Sequence, residues 1–297
     1  MSVDHPADRS YDQLIAASGL PRLEARMLLE HASGCSRSWL IAHGDEPADA
    51  QTTTYFLALA ERRTRAGEPI AYLTGVREFH SLRLAVSPAV LIPRPETELL
   101  VDRALELIVN NNDHAGTAPS ILDLGTGSGA IALAIAATQP RARIVATDRS
   151  AAALNQARAN ASQLGLDSRI EWRLGDWWEA VGEAERFSLV LANPPYIARH
   201  DPHLSQGDLR HEPIEALASG EDGLDAIRTI AAGARGHLTD RGWLLLEHGF
   251  DQGEPVRALL EAAGFAWVRT LEDLEGRERV TQAQKTLESQ DPPAFMV

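Results

Sequence analysis

The chain predicts an α/β protein: a doubly wound, mainly parallel sheet of seven strands, preceded by a small helical domain and a linking β-hairpin. Two observations carry this. From Ile121 onward, short β-branched and aliphatic runs alternate with amphipathic stretches at helical spacing, the rhythm of a parallel sheet with helices on both faces. Before about Gly75, by contrast, the apolar residues recur only at helical spacing.

The N-terminal region, residues 1–75, reads as a helical bundle. Leu14 and Ile15, then Leu23, Met27 and Leu28, then Phe56, Leu57 and Ala60 form its apolar stripe, broken at Gly19-Leu20-Pro21, Gly34 and Gly44. Asp49 is placed to cap a helix running to about Arg65. His31 and His43 have no Cys, Asp or Glu at ligand spacing, so packing or surface roles are expected and no metal site. Over residues 76–92 the period shifts towards two, with Leu82, Leu84 and Val86 alternating and Ser87-Pro88 turning the chain, which predicts the linking hairpin.

Residues 93–297 form the third region. Glu96 to Val109 resumes helical spacing, and Asn110 to Pro119 reads as a polar linker. Strands are then expected at Ile121–Leu124, Ile144–Thr147, Ile170–Leu174, Phe187–Ala192, Trp243–Glu247, Ala266–Leu271 and Val280–Thr286. Helices are expected at Ala130–Thr138, Ala151–Leu164, Gly223–His237 and Pro255–Ala263. In such a sheet, ligands belong at the carboxyl ends of the strands.

Three loops sit at those ends. Gly125-Thr126-Gly127-Ser128-Gly129 lets backbone approach a ligand, and the helix start behind it offers unpaired N–H groups to a negative group. Asp148 follows at close to the roughly 20-residue spacing at which an acidic residue meets ribose hydroxyls. Together they describe an adenosine-containing ligand without identifying it. Gly125, Gly127 and Ala130 also fit a nicotinamide dinucleotide pattern, and glycines that only let a helix pack on a strand are a further reading. Asp176 supplies an acceptor for an adenine amino group and Trp177 an aromatic surface for the base, whereas Trp178 is expected in the core.

The third loop, Asn193-Pro194-Pro195-Tyr196, follows the fourth strand. The Asn193 side-chain oxygen and the Pro194 carbonyl form a paired acceptor for one –NH2 group, and the prolines contribute no competing N–H. Tyr196 adds a flat wall. Such a site holds an amide or exocyclic amine with its nitrogen lone pair aimed across the pocket, as methyl transfer to a weak nitrogen nucleophile requires. A strand end followed by a rigid turn is the plainer reading of an isolated Asn-Pro-Pro.

Composition narrows the classes. The 297-residue chain is 44% hydrophobic and 24% charged, with a formal net charge of -14, which disfavours a non-specific phosphate-tracking surface. Cys35 is the single cysteine, so an internal disulfide is excluded and a reducing compartment is expected. Met1 to Ser10 is polar and acidic without the apolar core of a signal peptide, and Ala130 to Ala137 is the longest apolar stretch. A cytoplasmic protein without a membrane span follows as the expectation.

Asp123-Leu124-Gly125-Thr126-Gly127-Ser128-Gly129, Asp148, Asp176-Trp177 and Asn193-Pro194-Pro195-Tyr196, taken together, resemble the amino-methylating class I S-adenosylmethionine-dependent methyltransferases. Within that class, five further stretches closely resemble the peptide chain release factor N5-glutamine methyltransferases. They are Arg77-Glu78-Phe79, Leu91-Ile92-Pro93-Arg94-Pro95-Glu96-Thr97-Glu98, Gln206-Gly207-Asp208, Glu212-Pro213 and Leu246-Glu247-His248-Gly249. The resemblance runs from the helical bundle to about Val280. It implies a Rossmann-like methyltransferase sheet and methylation of the glutamine in the Gly-Gly-Gln loop of bacterial class I release factors, with S-adenosyl-L-homocysteine as product.

On this resemblance Gly125 to Gly129 cradle the methionine end of the cofactor, Asp148 holds its ribose, and Asp176 and Trp177 border the adenine. Asn193 serves both partners, and Pro194, Pro195 and Tyr196 complete the amide clamp. Phe79, Arg94, Glu96 and Glu98 line the entrance, and the helical bundle docks the substrate. No general base is compelling, and a monomer acting without nucleic acid is expected. The alternatives are a ribosomal-protein glutamine methyltransferase, disfavoured by residues 93–98, a nucleic-acid amino methyltransferase, which would need a basic groove, and a silent cofactor-binding subunit, whose clamp would be degraded. The chain departs from the family after Arg279-Val280-Thr281, where Gln282-Ala283-Gln284-Lys285 and a tail through Pro292-Pro293-Ala294-Phe295 replace a Gly-Arg pair.

Overall fold

The computed structural model describes residues 9–110 and 118–286; the opening segment, most of the polar linker and the Pro292–Phe295 tail lie outside them. Two compact units are present, one of residues up to 76 joined by Ser205–His211 and one of the remainder.

The first unit packs α1 (Tyr11–Ala17), α2 (Arg22–Ser33), α3 (Arg37–Ala42), α4 (Ala50–Glu61) and α5 (Ile70–Thr74). Side-chain caps start three of them: Ser10 closes a capping box with Gln13, Ser36 accepts from the Trp39 N–H, and Asp49 accepts from the Thr52 N–H. Leu14, Leu28, Leu29, Phe56 and Leu59 form the core. Leu23 and Met27, expected in the apolar stripe, face outward, and the buried face of α2 is Ala25, Leu28 and Leu29. His31 bonds the Tyr55 hydroxyl at 3.0 Å and His43 stacks on Trp39.

Helix α4 runs into a π-helical turn, Arg62–Ala66, which aims the Arg63 guanidinium at two partners. Arg63 donates to both carboxylate oxygens of Glu24, at 2.8 and 2.9 Å, and to Asp208 at 2.6 Å. The bidentate fork fixes geometry as well as charge. Asp208 thereby ties the distant segment Ser205–His211 to the helices, a link that sequence spacing hides.

The second unit begins with the hairpin β1 (Val76–Phe79) and β2 (Leu82–Ala85). Its turn is at His80-Ser81, both at positive φ (47° and 63°), not at Ser87-Pro88, which makes a separate turn through the Val90 N–H to Ser87 carbonyl bond. Positive φ at both central residues matches the strand twist, but neither residue is the Asn, Asp or Gly usual at such positions, so the sequence marked the Ser87-Pro88 turn and not this one. Asn160 of α8 (Ala151–Gln163) bonds both the N–H and the carbonyl of Ala85, at 2.7 and 3.0 Å, pinning the hairpin to that helix.

The sheet comprises β3 (Ser120–Leu124), β4 (Arg143–Asp148), β5 (Ile170–Leu174), β6 (Phe187–Ala192), β7 (Leu238–Glu247), β8 (Ala266–Glu272) and β9 (Glu278–Gln284). Its order is β5-β4-β3-β6-β7-β9-β8. The pairs from β5 to β7 are parallel, and β9 runs antiparallel between β7 and β8. Side chains alternate between two apolar layers: Ile121, Leu189 and Leu191 meet α6 (Glu98–Asn110) and α7 (Ala130–Thr138), while Leu122, Val190 and Ala192 meet α9 (Asp225–His237) and α10 (Gly253–Ala262). The divergent Gln282 is inside β9, buried and accepting from Arg103 Nε at 2.6 Å, so this chain closes its last strand with a polar residue that has a partner. Phe79, expected at the entrance, is core, and Glu98 accepts from the His80 N–H at 2.8 Å, bracing the hairpin turn.

Candidate active site

The register explains how residues far apart in sequence meet. Leu124 lies opposite both Thr147 and Ala192, and Asp148 opposite Leu174. The loops that follow β3, β4, β5 and β6 therefore leave the same edge of the sheet side by side. They open onto a cavity of about 610 Å³ lined by Gly125, Asp148, Asp176, Trp177, Asn193 and Thr97 among others, within the range of small-molecule sites.

The glycine loop is folded for close approach. Gly129 sits at φ 85°, and a Cβ there would lie 3.0 Å from Leu133 and 3.2 Å from Ala157, so only glycine lets α7 start this close to α8. Gly125, at φ 73°, faces the Trp177 ring, which a Cβ would meet at 3.3 Å. Thr126 and Ser128 are buried in the loop, and the Thr126 hydroxyl donates to Asp123 at 2.7 Å. Burial, only partly offset by that bond, pushes Asp123 up to about 7.

Asp148 is buried at the end of β4. Its carboxylate accepts the Gly127 N–H at 2.9 Å and the Ser150 N–H at 2.8 Å, and burial still raises its pKa. Each oxygen keeps acceptor capacity for a ligand hydroxyl. Asp176 is exposed on the wall, and Trp177 beside it is held at φ 44°, a conformation a bulky residue adopts only when its surroundings impose it. Trp178, expected in the core, is only half-buried: it stacks on His237 at 4.8 Å and donates to the Thr229 carbonyl.

The Asn-Pro-Pro-Tyr loop is divided by the cavity wall. Asn193 and Pro195 line the cavity, whereas Pro194 is buried and neither it nor Tyr196 lines it. Asn193 Nδ2 donates to Thr97 Oγ1 at 3.0 Å. The Tyr196 hydroxyl points to Glu247 Oε1 at 3.5 Å, and its backbone carbonyl accepts from Gln252 at 2.9 Å. Burial raises the Tyr196 pKa, with Glu247 adding to it, so the phenol stays protonated.

Arg94 and the Ile92 N–H both bond the buried carboxylate of Glu212, which ties together two of the stretches that resemble the family. Arg77 likewise donates to the Pro93 carbonyl at 3.2 Å. Sequence reading gave no site role to Thr97, which lines the cavity, to Glu247, which is buried against Tyr196, or to the start of α9, where Ala226 and Thr229 complete the cavity. In the sequence both Thr97 and Glu247 stood inside stretches that resemble the family, with no role of their own.

Residues 98–248 match the family model described as Methyltransferase small domain, and residues 9–75 match that described as PrmC N-terminal domain. The hMettl16 catalytic domain in complex with MAT2A 3'UTR hairpin 6 superimposes with a TM-score of 0.54 at 16% identity, covering 82% of this chain and 84% of that one, a likeness of fold alone. Fold and family model thus define a methyltransferase. The release factor glutamine methyltransferase of Xylella fastidiosa (strain Temecula1) is 55% identical over 90% of this chain and 94% of its own length. Those of Burkholderia pseudomallei and Escherichia coli are 51% and 44% identical, each covering 95% of this chain and 98% of the relative. The chain belongs to the release factor glutamine methyltransferase family. Among the described residues no helix is long and apolar enough to cross a membrane.

Proposed function

We propose that this chain transfers a methyl group from S-adenosyl-L-methionine to the side-chain amide nitrogen of the glutamine in the Gly-Gly-Gln motif of bacterial class I peptide chain release factors. The observation that carries the proposal is Asn193: its Nδ2 is committed to Thr97, which leaves Oδ1 as the acceptor on the cavity wall. Oδ1 and the carbonyl of Pro194, the buried residue between the wall residues Asn193 and Pro195, would together accept both hydrogens of a primary amide, fixing its plane and aiming the nitrogen lone pair at the methyl donor.

The cavity residues fit the cofactor. Gly125 to Gly129 offer backbone that a side chain would obstruct, Asp148 offers buried carboxylate oxygens to the ribose, and Asp176 and Trp177 offer an acceptor and a ring to the adenine. Bound there, S-adenosylmethionine supplies an electrophilic methyl on a sulfonium, and the protein's contribution is alignment. The amide proton departs after transfer begins, so no strong base is required. The helical unit supplies none of the cavity residues, and we assign it to recognition of the folded release factor.

Asn193→Ala is the direct test. Losing one positioned hydrogen bond to the reacting group is expected to lower kcat by roughly two to three orders of magnitude, by analogy with loss of an oxyanion-hole donor, with calorimetric cofactor affinity little changed. A release factor carrying asparagine in place of the glutamine should also fail, because the nitrogen is withdrawn by one methylene. Near-normal turnover in either case contradicts the clamp.

A further inference from the structure

Two stretches of cavity wall flank the Asn-Pro-Pro-Tyr loop, and each is bonded to it. One runs through Leu91, Pro93 and Thr97, and Thr97 Oγ1 accepts from Asn193. The other runs through Pro213, Ala216 and Ser219, beside Ile197. The Ile197 N–H donates to the Leu217 carbonyl and its own carbonyl accepts the Ser219 N–H, both at 2.9 Å. The acceptor end of the cavity is thus framed by two segments far apart in sequence.

The first segment has little means of holding itself in place. Residues 86–94 belong to no helix or strand, and Pro88 and Pro93 within it have no N–H with which to join one. It is anchored by side chains instead. Near its start the anchors are on α8: Asn160, which also bonds the glycine loop at Ser128, holds Ala85, and Ser87 Oγ bonds Gln156 at 3.1 Å. Near its end Arg77 donates to the Pro93 carbonyl at 3.2 Å. There too the wholly buried carboxylate of Glu212 accepts the Ile92 N–H on Oε2 at 2.9 Å and the Arg94 guanidinium on Oε1. The Arg94 carbonyl in turn accepts the Thr97 N–H at 3.1 Å. Pro213, the next residue after Glu212, opens the opposite wall. One carboxylate, with two charge-assisted bonds in a buried setting, therefore fixes both sides of the frame.

We propose that Glu212 is a positioning residue for the methyl acceptor: its carboxylate holds the Ile92–Thr97 turn and the wall that starts at Pro213 at the spacing at which Asn193 meets the substrate amide. This rests on the reading of the Asn-Pro-Pro-Tyr loop as the amide site. Glu212 does not line the cavity itself. Its effect passes through the turn that carries Thr97.

The test is steady-state kinetics of the full-length enzyme on an intact release factor, with S-adenosylmethionine binding measured by calorimetry, whose stoichiometry counts the folded sites. Glu212→Gln keeps the shape and one acceptor oxygen but cannot take both donors. Counted per cofactor-binding site, kcat/KM for the release factor is expected to fall about tenfold or more, the worth of one hydrogen bond to a charged group. The dissociation constant of S-adenosylmethionine should stay within about twofold of the parent, because the anchors on α8 are untouched. Arg94→Gln should show the same split, and Arg94→Lys, which restores a cationic donor, should recover most of the parent value. The double variant Glu212→Gln/Arg94→Gln should lose less than the product of the two single losses, since both remove the same bond.

Parent-like kcat/KM in Glu212→Gln and Arg94→Gln, beside an impaired Asn193→Ala, overturns the positioning role and leaves the amide clamp standing. A fully active Asn193→Ala removes the clamp itself. Cofactor affinity that falls in step with turnover, or single losses that multiply in full, would show a general loosening of the fold in place of an acceptor frame and would also overturn the proposal. If Glu212→Gln does not fold, Arg94→Gln and Arg94→Lys decide the matter.

Discussion

Asp148 and Glu247 show how single acidic residues are set apart by their surroundings. Asp148 has each oxygen bonded to a backbone N–H, at 2.9 and 2.8 Å, so it is held rigidly at the cavity wall. Asp148→Ala is expected to weaken S-adenosylmethionine binding by about tenfold or more in calorimetry, the loss of a charge-assisted bond to hydroxyls, while the variant stays folded. Unchanged affinity in a folded variant contradicts the ribose assignment. Glu247 is held at higher cost: burial, the largest cause, pushes it from an ordinary 4.5 up to about 7. A carboxyl raised in this way favours the folded state fully below about pH 4.5, where it is neutral whether folded or unfolded, and that contribution is lost as pH rises through about 7. The penalty above that range is on the order of 3 kcal/mol. Glu247→Gln, which does not titrate, should therefore gain thermal stability relative to the parent as pH rises from about 4.5 to about 7 and keep that gain above it. A melting-temperature difference that is independent of pH contradicts this.

Among the elements, the hairpin and the glycine loop are joined by one side chain. Asn160 of α8 bonds the Ala85 N–H and carbonyl and also the Ser128 carbonyl at 2.9 Å, and it is 1% exposed. Asn160→Ala leaves those backbone groups unpaired and should destabilise the protein by about 2–4 kcal/mol in urea unfolding. A change below about 0.5 kcal/mol would show that water replaces the amide. Nothing in the local sequence of α8 announces this residue, because its partners lie at Ala85 and Ser128. The strands were legible for the opposite reason: each carries its own period and composition, and the glycine loop and Asp148 follow strand ends directly. What depended on long-range pairing was not legible, including the His80-Ser81 turn, the outward face of Leu23 and Met27, and the insertion of β9 between β7 and β8. The site divides in the same way. Asn193 could be read from its loop, but its bond to Thr97, which arrives from the turn ahead of α6, could not.

At the scale of the whole molecule, charge and organisation point to a folded protein substrate. The formal net charge of -14 opposes a non-specific grip on phosphate backbones. The helical unit is not a simple N-terminal appendage, since Arg63 holds Asp208 at 2.6 Å and so claims Ser205–His211 from the middle of the second unit's sequence. Removing residues 1–75 would strand that segment, and the decisive assay therefore uses the intact chain. The central claim is that a single glutamine amide is the methyl acceptor. It is tested most directly by incubating the full-length protein with S-adenosylmethionine and an intact bacterial class I release factor, then sequencing the product peptides by tandem mass spectrometry. The expected result is one added methyl group, on the side-chain nitrogen of the Gly-Gly-Gln glutamine, absent with Asn193→Ala. A release factor that remains unmodified, or that is methylated only at other residues, would contradict the account.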